Sequence, residues 1–370
     1  MSEARCCKTR REYLTEQLLK MNCICCLFTS EVSIRYLTGF AGEDSLLMFN
    51  AGKMILLTDR RFEEEAQAVL AVGNADIVEM NNPKKEECKY IREKFTDAAA
   101  VGTIIGLEES DISLGMFKQL TGGIVLQTLD VSQLVSDMRL IKDDFEKNLI
   151  REAGSIAVKS FETLFGVIRE GMSEKEIAFY LDSEMIRNGA TAPSFPTIAA
   201  IGENASRPHA VPTEKCIARG DMLLLDFGAI YQGYCSDITR TIFCGTPNET
   251  YVSRYTAVLE AQEKAISMIL HGVECTKVYG AALAVLERAG VAEQFTHGLG
   301  HGVGMEIHEM PTLSLNTDPT KKLCTGMVVT VEPGIYYSGW GGIRIEDTVI
   351  VENGKCEIVT LTNKQLLVFN

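Results

Sequence analysis

Apolar positions recur along this chain at two periods, and their arrangement changes near residue 140. Residues 10–21 carry them at helical spacing. Short apolar runs at Ile24–Phe28, Ser45–Phe49 and Met54–Thr58 read as strands, and Asn50-Ala51-Gly52-Lys53 joins the last two as a hairpin turn. A helix over residues 61–72 comes next, and strands then alternate with helices to about Met138, the pattern of an α/β domain with its own core. From Asp143 the spacing becomes continuously helical: Leu149, Ala153, Ile156, Ala157, Phe161, Leu164 and Ile168 share one face, and Gly171 is the stop. Ser173 and Glu176 form a capping box for a further helix that ends at Gly189. Strands follow at Thr197–Ile201, Met222–Phe227 and, after the Gln232-Gly233 turn, Tyr234–Ile242. The same order then repeats. Helices fall at about 251–270 and 276–289, and strands at 327–332, at 342–351 and, beyond the Asn353-Gly354 turn, at 356–360. Two helices followed by antiparallel strands, twice over, predict two similar halves of about 100 residues, with sheets packed together and helices outside. The repeat is architectural and is not matched by sequence identity between the halves.

Composition narrows the classes. At 370 residues, 46% hydrophobic and 23% charged, the chain suits two ordinary globular domains. A net charge of −14 argues against nucleic acid or an anionic membrane surface as the main partner. No apolar run is long enough to span a bilayer, and the opening MSEARCCKTRREYL lacks the apolar stretch of a secretory signal. Twelve cysteines without an export signal point to free thiols in a reducing cytoplasm. Cys6, Cys7, Cys23, Cys25 and Cys26 cluster, and Cys23 with Cys26 makes a C-x-x-C. No second spaced pair or histidine set accompanies it, so these read as small buried hydrophobes.

The candidate chemistry lies in the second part. The stretch His297–Glu309, HGLGHGVGMEIHE, holds three of the five histidines, and glycines alternate at 298, 300, 302 and 304. Bare backbone at every second position lets another group approach closely. Val303 breaks the dinucleotide fingerprint, and no Gly-Lys-Ser/Thr follows to make a phosphate loop. Four acids sit at or beside apolar strands: Asp226 in MLLLDFG, Asp237 in CSDITRT, Glu332 in VVTVEPG and Glu346 in GIRIEDT. Any one of them alone reads as a cap or an ion-paired acid. Together, as carboxylates taken out of water, they require a compensating cation. Four carboxylates and one imidazole are too many for one tetrahedral zinc and suit two divalent ions sharing carboxylates. The oxygen-rich set favours Mn²⁺, Fe²⁺, Co²⁺ or Zn²⁺ over a metal selected by thiolates.

The set DFG, SDITRT, HGLGHGVG, IHE, EPGIY and GIRIEDT resembles the creatinase/prolidase/aminopeptidase P family of pita-bread metallopeptidases. IRYLTGF (Ile34–Phe40), LLTDRRFEEEA (Leu56–Ala66) and MRLIKDDFE (Met138–Glu146) resemble the N-terminal domain and linker of its two-domain members. The resemblance implies a creatinase-like α/β domain over 1–140 and a pita-bread catalytic domain of α+β type, with internal pseudo-twofold symmetry, over 141–370. It implies Asp226, Asp237, His301, Glu332 and Glu346 as ligands of two divalent ions, Mn²⁺ first. It places His209 and His308 beside the substrate and gives Glu332 the proton-transfer role. His297, Arg344 and Tyr336 become supporting residues, and His271 is left as a helix-end residue. The implied activity is release of the residue before proline from a free N-terminus by an Xaa-Pro aminopeptidase. A prolidase limited to dipeptides is the alternative, and a non-catalytic binding module on the same fold is a third reading. The implied assembly is a homodimer acting on small peptides. Within the C-terminal motifs, Arg344 is the single arginine between Gly290 and Asn370, which leans the reading toward a pocket open to longer peptides.

Overall fold

The structure, a computed structural model, describes residues 3–80 and 86–370. Two compact units follow one another, Met1–Arg139 and Leu140–Asn370.

The first unit and its exit run α1 (Glu3–Lys20), β1 (Cys25–Phe28), α2 (Glu31–Thr38), β2 (Leu46–Asn50), β3 (Lys53–Thr58), α3 (Glu63–Ala71), β4 (Ile77–Met80), α4 (Glu86–Ala100), β5 (Ile105–Leu107), α5 (Leu114–Thr121), β6 (Thr128–Asp130) and α6 (Ser132–Leu140). Six strands form one mixed sheet in the order β4-β3-β2-β1-β5-β6. The predicted hairpin turn is present, with Ala51 and Gly52 both at positive φ. The helix α2, which runs into IRYLTGF, was not foreseen as an element. Ser30 caps its N-terminus, and Gly39, left-handed at φ 79°, ends it. Leu27, Met48, Leu57, Ile91, Phe95 and Ile105 make the core. Cys23, Cys25 and Cys26 are fully buried in or just before β1, and Cys25 packs as a small hydrophobe in that core.

The second unit opens with two helices, α7 (Asp144–Phe165) and α8 (Glu174–Arg187). Both begin with capping boxes, Asp143/Glu146 and Ser173/Glu176. Strands β7 (Ala192–Pro193), β8 (Ile198–Ile201), β9 (Met222–Phe227), β10 (Ala229–Tyr231), β11 (Tyr234–Cys235) and β12 (Ile238–Cys244) complete the first half. The second half repeats the plan. Helices α9 (Glu249–Ile266) and α10 (Cys275–Arg288) precede β13 (Gly300–Gly302), β14 (Glu309–Leu313), β15 (Val328–Val331), β16 (Gly334–Tyr337), β17 (Gly341–Arg344), β18 (Asp347–Glu352) and β19 (Lys355–Ile358), and β20 (Leu367–Phe369) closes the chain. The two main sheets run β20-β12-β9-β8 and β14-β13-β15-β18-β19. Phe161, Leu181, Leu225 and Phe227 seal one helix pair to the first sheet. Tyr251, Val258, Leu286, Val329 and Val349 seal the other pair to the second. This is the pita-bread arrangement, and the predicted internal symmetry is visible in the element order.

Two predicted strands are interrupted. The run Tyr234–Ile242 divides into β11, in a three-stranded sheet with β10 and β7, and β12, in the first main sheet. The run 342–351 divides into β17, paired with β16, and β18, in the second main sheet. Asp237 and Glu346 each stand in such a break, where the chain leaves one sheet and enters another. Apolar periodicity continues through both points, so it carried no sign of the change. No helix among the described residues is long and apolar enough to cross a membrane.

Candidate active site

The glycines of HGLGHGVG serve strand packing. A Cβ on Gly300 would lie 2.0 Å from the carbonyl oxygen of Thr330, and one on Gly302 would lie 2.2 Å from that of Met310. At these two positions the group that approaches the bare backbone is therefore a neighbouring strand. This pins β13 between β14 and β15, with a bulge between His301 and Gly302.

The imidazole of His301 is aimed by its own strand. Its Nδ1 lies 3.0 Å from the carbonyl oxygen of Gly302, a contact that places the proton on Nδ1 and leaves the Nε2 lone pair free. Nε2 then faces Asp237 Oδ2 at 3.6 Å and Glu332 Oε1 at 3.5 Å. Burial lowers the pKa of His301 to about 4, so these contacts are between a neutral ring and acids. Asp237, His301 and Glu346 offer ligand atoms all within 4.8 Å of one another, a group able to hold a metal ion.

Asp226 and Glu332 line the same cavity as these three. The carboxylates are held from behind. Thr239 Oγ1 donates to Glu346 Oε2 at 2.6 Å, Arg344 Nη2 to Asp226 Oδ2 at 2.6 Å, and Thr330 Oγ1 to Glu332 Oε1 at 3.4 Å. Asp226 Oδ1 and Asp237 Oδ1 are buried with no hydrogen-bond partner among the described residues. Buried carboxylate oxygens left bare beside one another are what a cation would satisfy. Electrostatics agree. Burial, followed by the charges of Glu346, Asp226 and Glu332, lifts Asp237 well above the carboxylate range. Burial, then Glu332 and Asp226, does the same to Glu346. Glu332 is pushed up to about 8, first by burial, with Arg344 opposing and Asp226 adding. The residues present fit a divalent centre.

A second layer runs through Arg344, which is buried. Its Nη1 donates to Tyr336 Oη at 2.7 Å and its Nε to Thr239 Oγ1 at 3.1 Å. With that oxygen accepting from Arg344, Tyr336 donates onward to His297 Nε2 at 2.9 Å, and His297 Nδ1 donates to Gly298 O at 2.7 Å. Arg344, Tyr336 and His297 thus form one relay ending on Asp226. Arg344 reaches from the second half to the first, and Arg240 makes the reverse crossing. Arg240, fully buried, donates to Asp347 Oδ1 at 2.8 Å and to the carbonyl oxygens of Glu346 and Thr360 at 2.5 and 3.2 Å.

The cavity encloses about 460 Å³, and one part of its wall is apolar: Phe195, Pro196, Ile198, Ala210, Val211 and Ile307. His209 and His308 both line it and are exposed. His308 stands edge-on to His301, with ring centroids 4.4 Å apart. His271 lies elsewhere, accepting a hydrogen bond from the Thr325 N–H at 3.1 Å. Sequence reasoning missed Thr239 and the apolar wall. Thr239 stands inside SDITRT, two positions after Asp237, and that spacing was the available sign. The wall is assembled from segments far apart in the chain and leaves no local pattern.

The comparisons with known proteins agree with this architecture. Residues 148–353 match metallopeptidase family M24, and residues 10–141 match the creatinase/prolidase N-terminal domain. The chain is 39% identical over 260 residues to the Xaa-Pro dipeptidase of Pyrococcus horikoshii, covering 70% of this chain and 74% of that one. Among solved structures it is similar to an Xaa-Pro dipeptidase from Bacillus anthracis, with a TM-score of 0.90, 34% identity and coverage of 98% and 100% of the two chains. It is also similar to the X-Pro aminopeptidase of Thermotoga maritima, with a TM-score of 0.86, 32% identity and coverage of 97% and 99%. The chain belongs to metallopeptidase family M24, in the two-domain form that carries a creatinase/prolidase N-terminal domain.

Proposed function

We propose that this protein hydrolyses Xaa-Pro bonds at a free N-terminus with two divalent ions, Mn²⁺ first, held by Asp226, Asp237, His301, Glu332 and Glu346. The observation that carries the proposal is the convergence of four carboxylates and one neutral imidazole on a single cavity, with bare buried oxygens on Asp226 and Asp237. When bound, the ions supply Lewis acidity and a water of lowered pKa. The protein's own groups do the rest. Glu332 accepts the proton of the attacking water and returns it to the proline nitrogen as that nitrogen leaves. His209 and His308, at the cavity surface, donate to the oxygen on which negative charge grows. The apolar wall of Phe195, Ile198 and Ile307 excludes water around the substrate ring and side chain.

The sequence leaned toward aminopeptidase action. Its relatives support the prolidase alternative better, since the Pyrococcus horikoshii and Bacillus anthracis proteins are Xaa-Pro dipeptidases. The proposed substrate is therefore an Xaa-Pro dipeptide. One observation favours the second reading, action on longer peptides. A dipeptidase needs a cation for the proline carboxylate, yet Arg344 is engaged with Asp226 and Tyr336, and among the described residues the cavity lining includes no other arginine and no lysine. Comparing kcat/KM for Ala-Pro, Ala-Pro-Ala and Ala-Ala-Ala with Mn²⁺ decides between them. Turnover of Ala-Pro alone supports the prolidase. Turnover of Ala-Pro-Ala supports the aminopeptidase. Equal turnover of Ala-Ala-Ala removes proline selectivity. Elemental analysis at saturating Mn²⁺ should count two ions per chain, and a count near zero removes the metal centre. A homodimer belongs to the same proposal and is read by sedimentation.

A further inference from the structure

Glu174 is a fully buried carboxylate to which the proposed chemistry gives no part. It sits in the first turn of α8, but the start of that helix does not depend on it, because Ser173 and Glu176 already form the capping box. Its two oxygens are instead surrounded by donors from one segment. Oε1 accepts the Ile201 N–H at 2.6 Å. Oε2 accepts Asn204 Nδ2 at 2.8 Å, the Thr213 N–H at 2.7 Å and Thr213 Oγ1 at 2.6 Å. Asn204 Nδ2 also reaches the carbonyl oxygen of Val211 at 3.2 Å, and the N–H of Lys175 reaches that of Thr213 at 3.2 Å. Among the described residues no lysine or arginine forms an ion pair with Glu174. Its two oxygens are met by these four donors.

The segment so gathered is 201–213, and it bears His209. Pro208, His209, Ala210 and Val211 line the cavity. The near side of the segment is fixed against the β16–β17 hairpin, since a Cβ on Gly342 would lie 2.2 Å from the carbonyl oxygen of Ala205. The far side, from Asn204 to Thr213, is gathered on the Glu174 carboxylate. We propose that Glu174 is a positioning residue for the reaction: it closes the 201–213 loop so that His209 is presented at the reacting carbonyl. This rests on the reading of His209 as a substrate-side group, so the test must separate the two.

Glu174→Gln preserves shape but turns an amide NH₂ toward donors that need an acceptor. Three measurements on the Mn²⁺-loaded enzyme decide the matter. Hydrogen exchange across residues 201–213 should quicken in Glu174→Gln while the amides of α7 and α9 stay protected. The kcat for Ala-Pro should fall by about 10–100-fold with metal content unchanged. In the double variant Glu174→Gln/His209→Ala, kcat should fall no further than in His209→Ala alone, because residues acting through one another are not additive. A loss that multiplies in the double variant, or unchanged loop exchange, overturns the proposal. Unchanged kcat in His209→Ala removes the reading of His209, and with it the catalytic consequence of the loop, whereas loop exchange reports on the staple independently. Should Glu174→Gln fail to fold, Thr213→Val removes one of the four donors, and the same three effects are expected at smaller size.

Discussion

Stripping divalent ions from this protein should leave its stability falling as pH rises through neutrality. In the ion-free protein, Glu332 is pushed from its ordinary 4.5 up to about 8, by burial first, and Asp237 and Glu346 move in the same direction. Between the unfolded and folded values the folded chain holds a proton that the unfolded chain has released. Stability therefore falls as pH rises, by about 1.4 kcal/mol per pH unit for each such group. For Glu332 alone, the displacement from 4.5 to about 8 amounts to something on the order of 5 kcal/mol once pH passes 8. His297 and His301, lowered to about 4 chiefly by burial, act in the opposite sense, but only below the ordinary histidine value near 6.5. The window from pH 6.5 to 8 isolates the carboxylates. One group should cost about 2 kcal/mol across it, which for a unit of this size is roughly 4–8 °C in Tm. Ions bind only the ionised carboxylates, so loading should stabilise the protein by more at pH 8 than at pH 6.5. Thermal melts of chelator-treated and Mn²⁺-loaded protein at pH 6.5, 7.2 and 8 measure both slopes. A chelator-treated Tm that is flat or rises over this window would refute the reasoning.

Other outcomes follow from the same geometry. Asp237→Asn and His301→Ala should each abolish turnover together with bound metal, whereas His308→Ala should keep its metal and lose about 10²–10³-fold in kcat, as for removal of one oxyanion donor; elemental analysis alongside kinetics separates the two classes. Cys23→Ser with Cys26→Ser should leave kcat within a few-fold, because both thiols lie buried in the first unit; joint loss of zinc and activity would contradict that. Arg240→Met should destabilise the fold by about 1–3 kcal/mol in a denaturant melt, since it takes one buried charged partner from Asp347, which keeps Lys364 and Gln262.

Much of the second unit was legible because its helices carry long apolar faces and ordinary caps. Ser173 and Glu176 announced α8, and the Gln232-Gly233 and Asn353-Gly354 turns fixed two hairpins. What escaped was set by contacts between distant segments. Tyr234–Ile242 and residues 342–351 read as single strands because the apolar pattern runs on, while the backbone changes sheets at Asp237 and at Glu346. The short strand β13 is glycine and histidine throughout, and β14 carries a proline and one β-branched residue, Thr312, so propensity gave little sign of them. At the site, the four acids and the histidine loop were visible as residue types. Their pairing with Thr239 and Thr330, and the hold of Glu174 on the 201–213 loop, lie in tertiary geometry that no spacing records.

The reciprocal crossings of Arg240 and Arg344 bear on how the second unit can be taken apart. Each half extends a buried guanidinium whose carboxylate partner belongs to the other, Asp347 for Arg240 and Asp226 for Arg344. A first half folded alone would have to solvate Arg240 and leave Asp226 without its arginine, and a second half would have to solvate Arg344, although its Asp347 keeps Lys364 and Gln262. A chain cut between Cys244 and Glu249 would therefore yield two fragments, each of low helicity by itself, that recover structure by complementing one another. The internal repeat is in this sense a pair of interlocked parts, and cooperativity across it is enforced by charge as well as by the apolar seam.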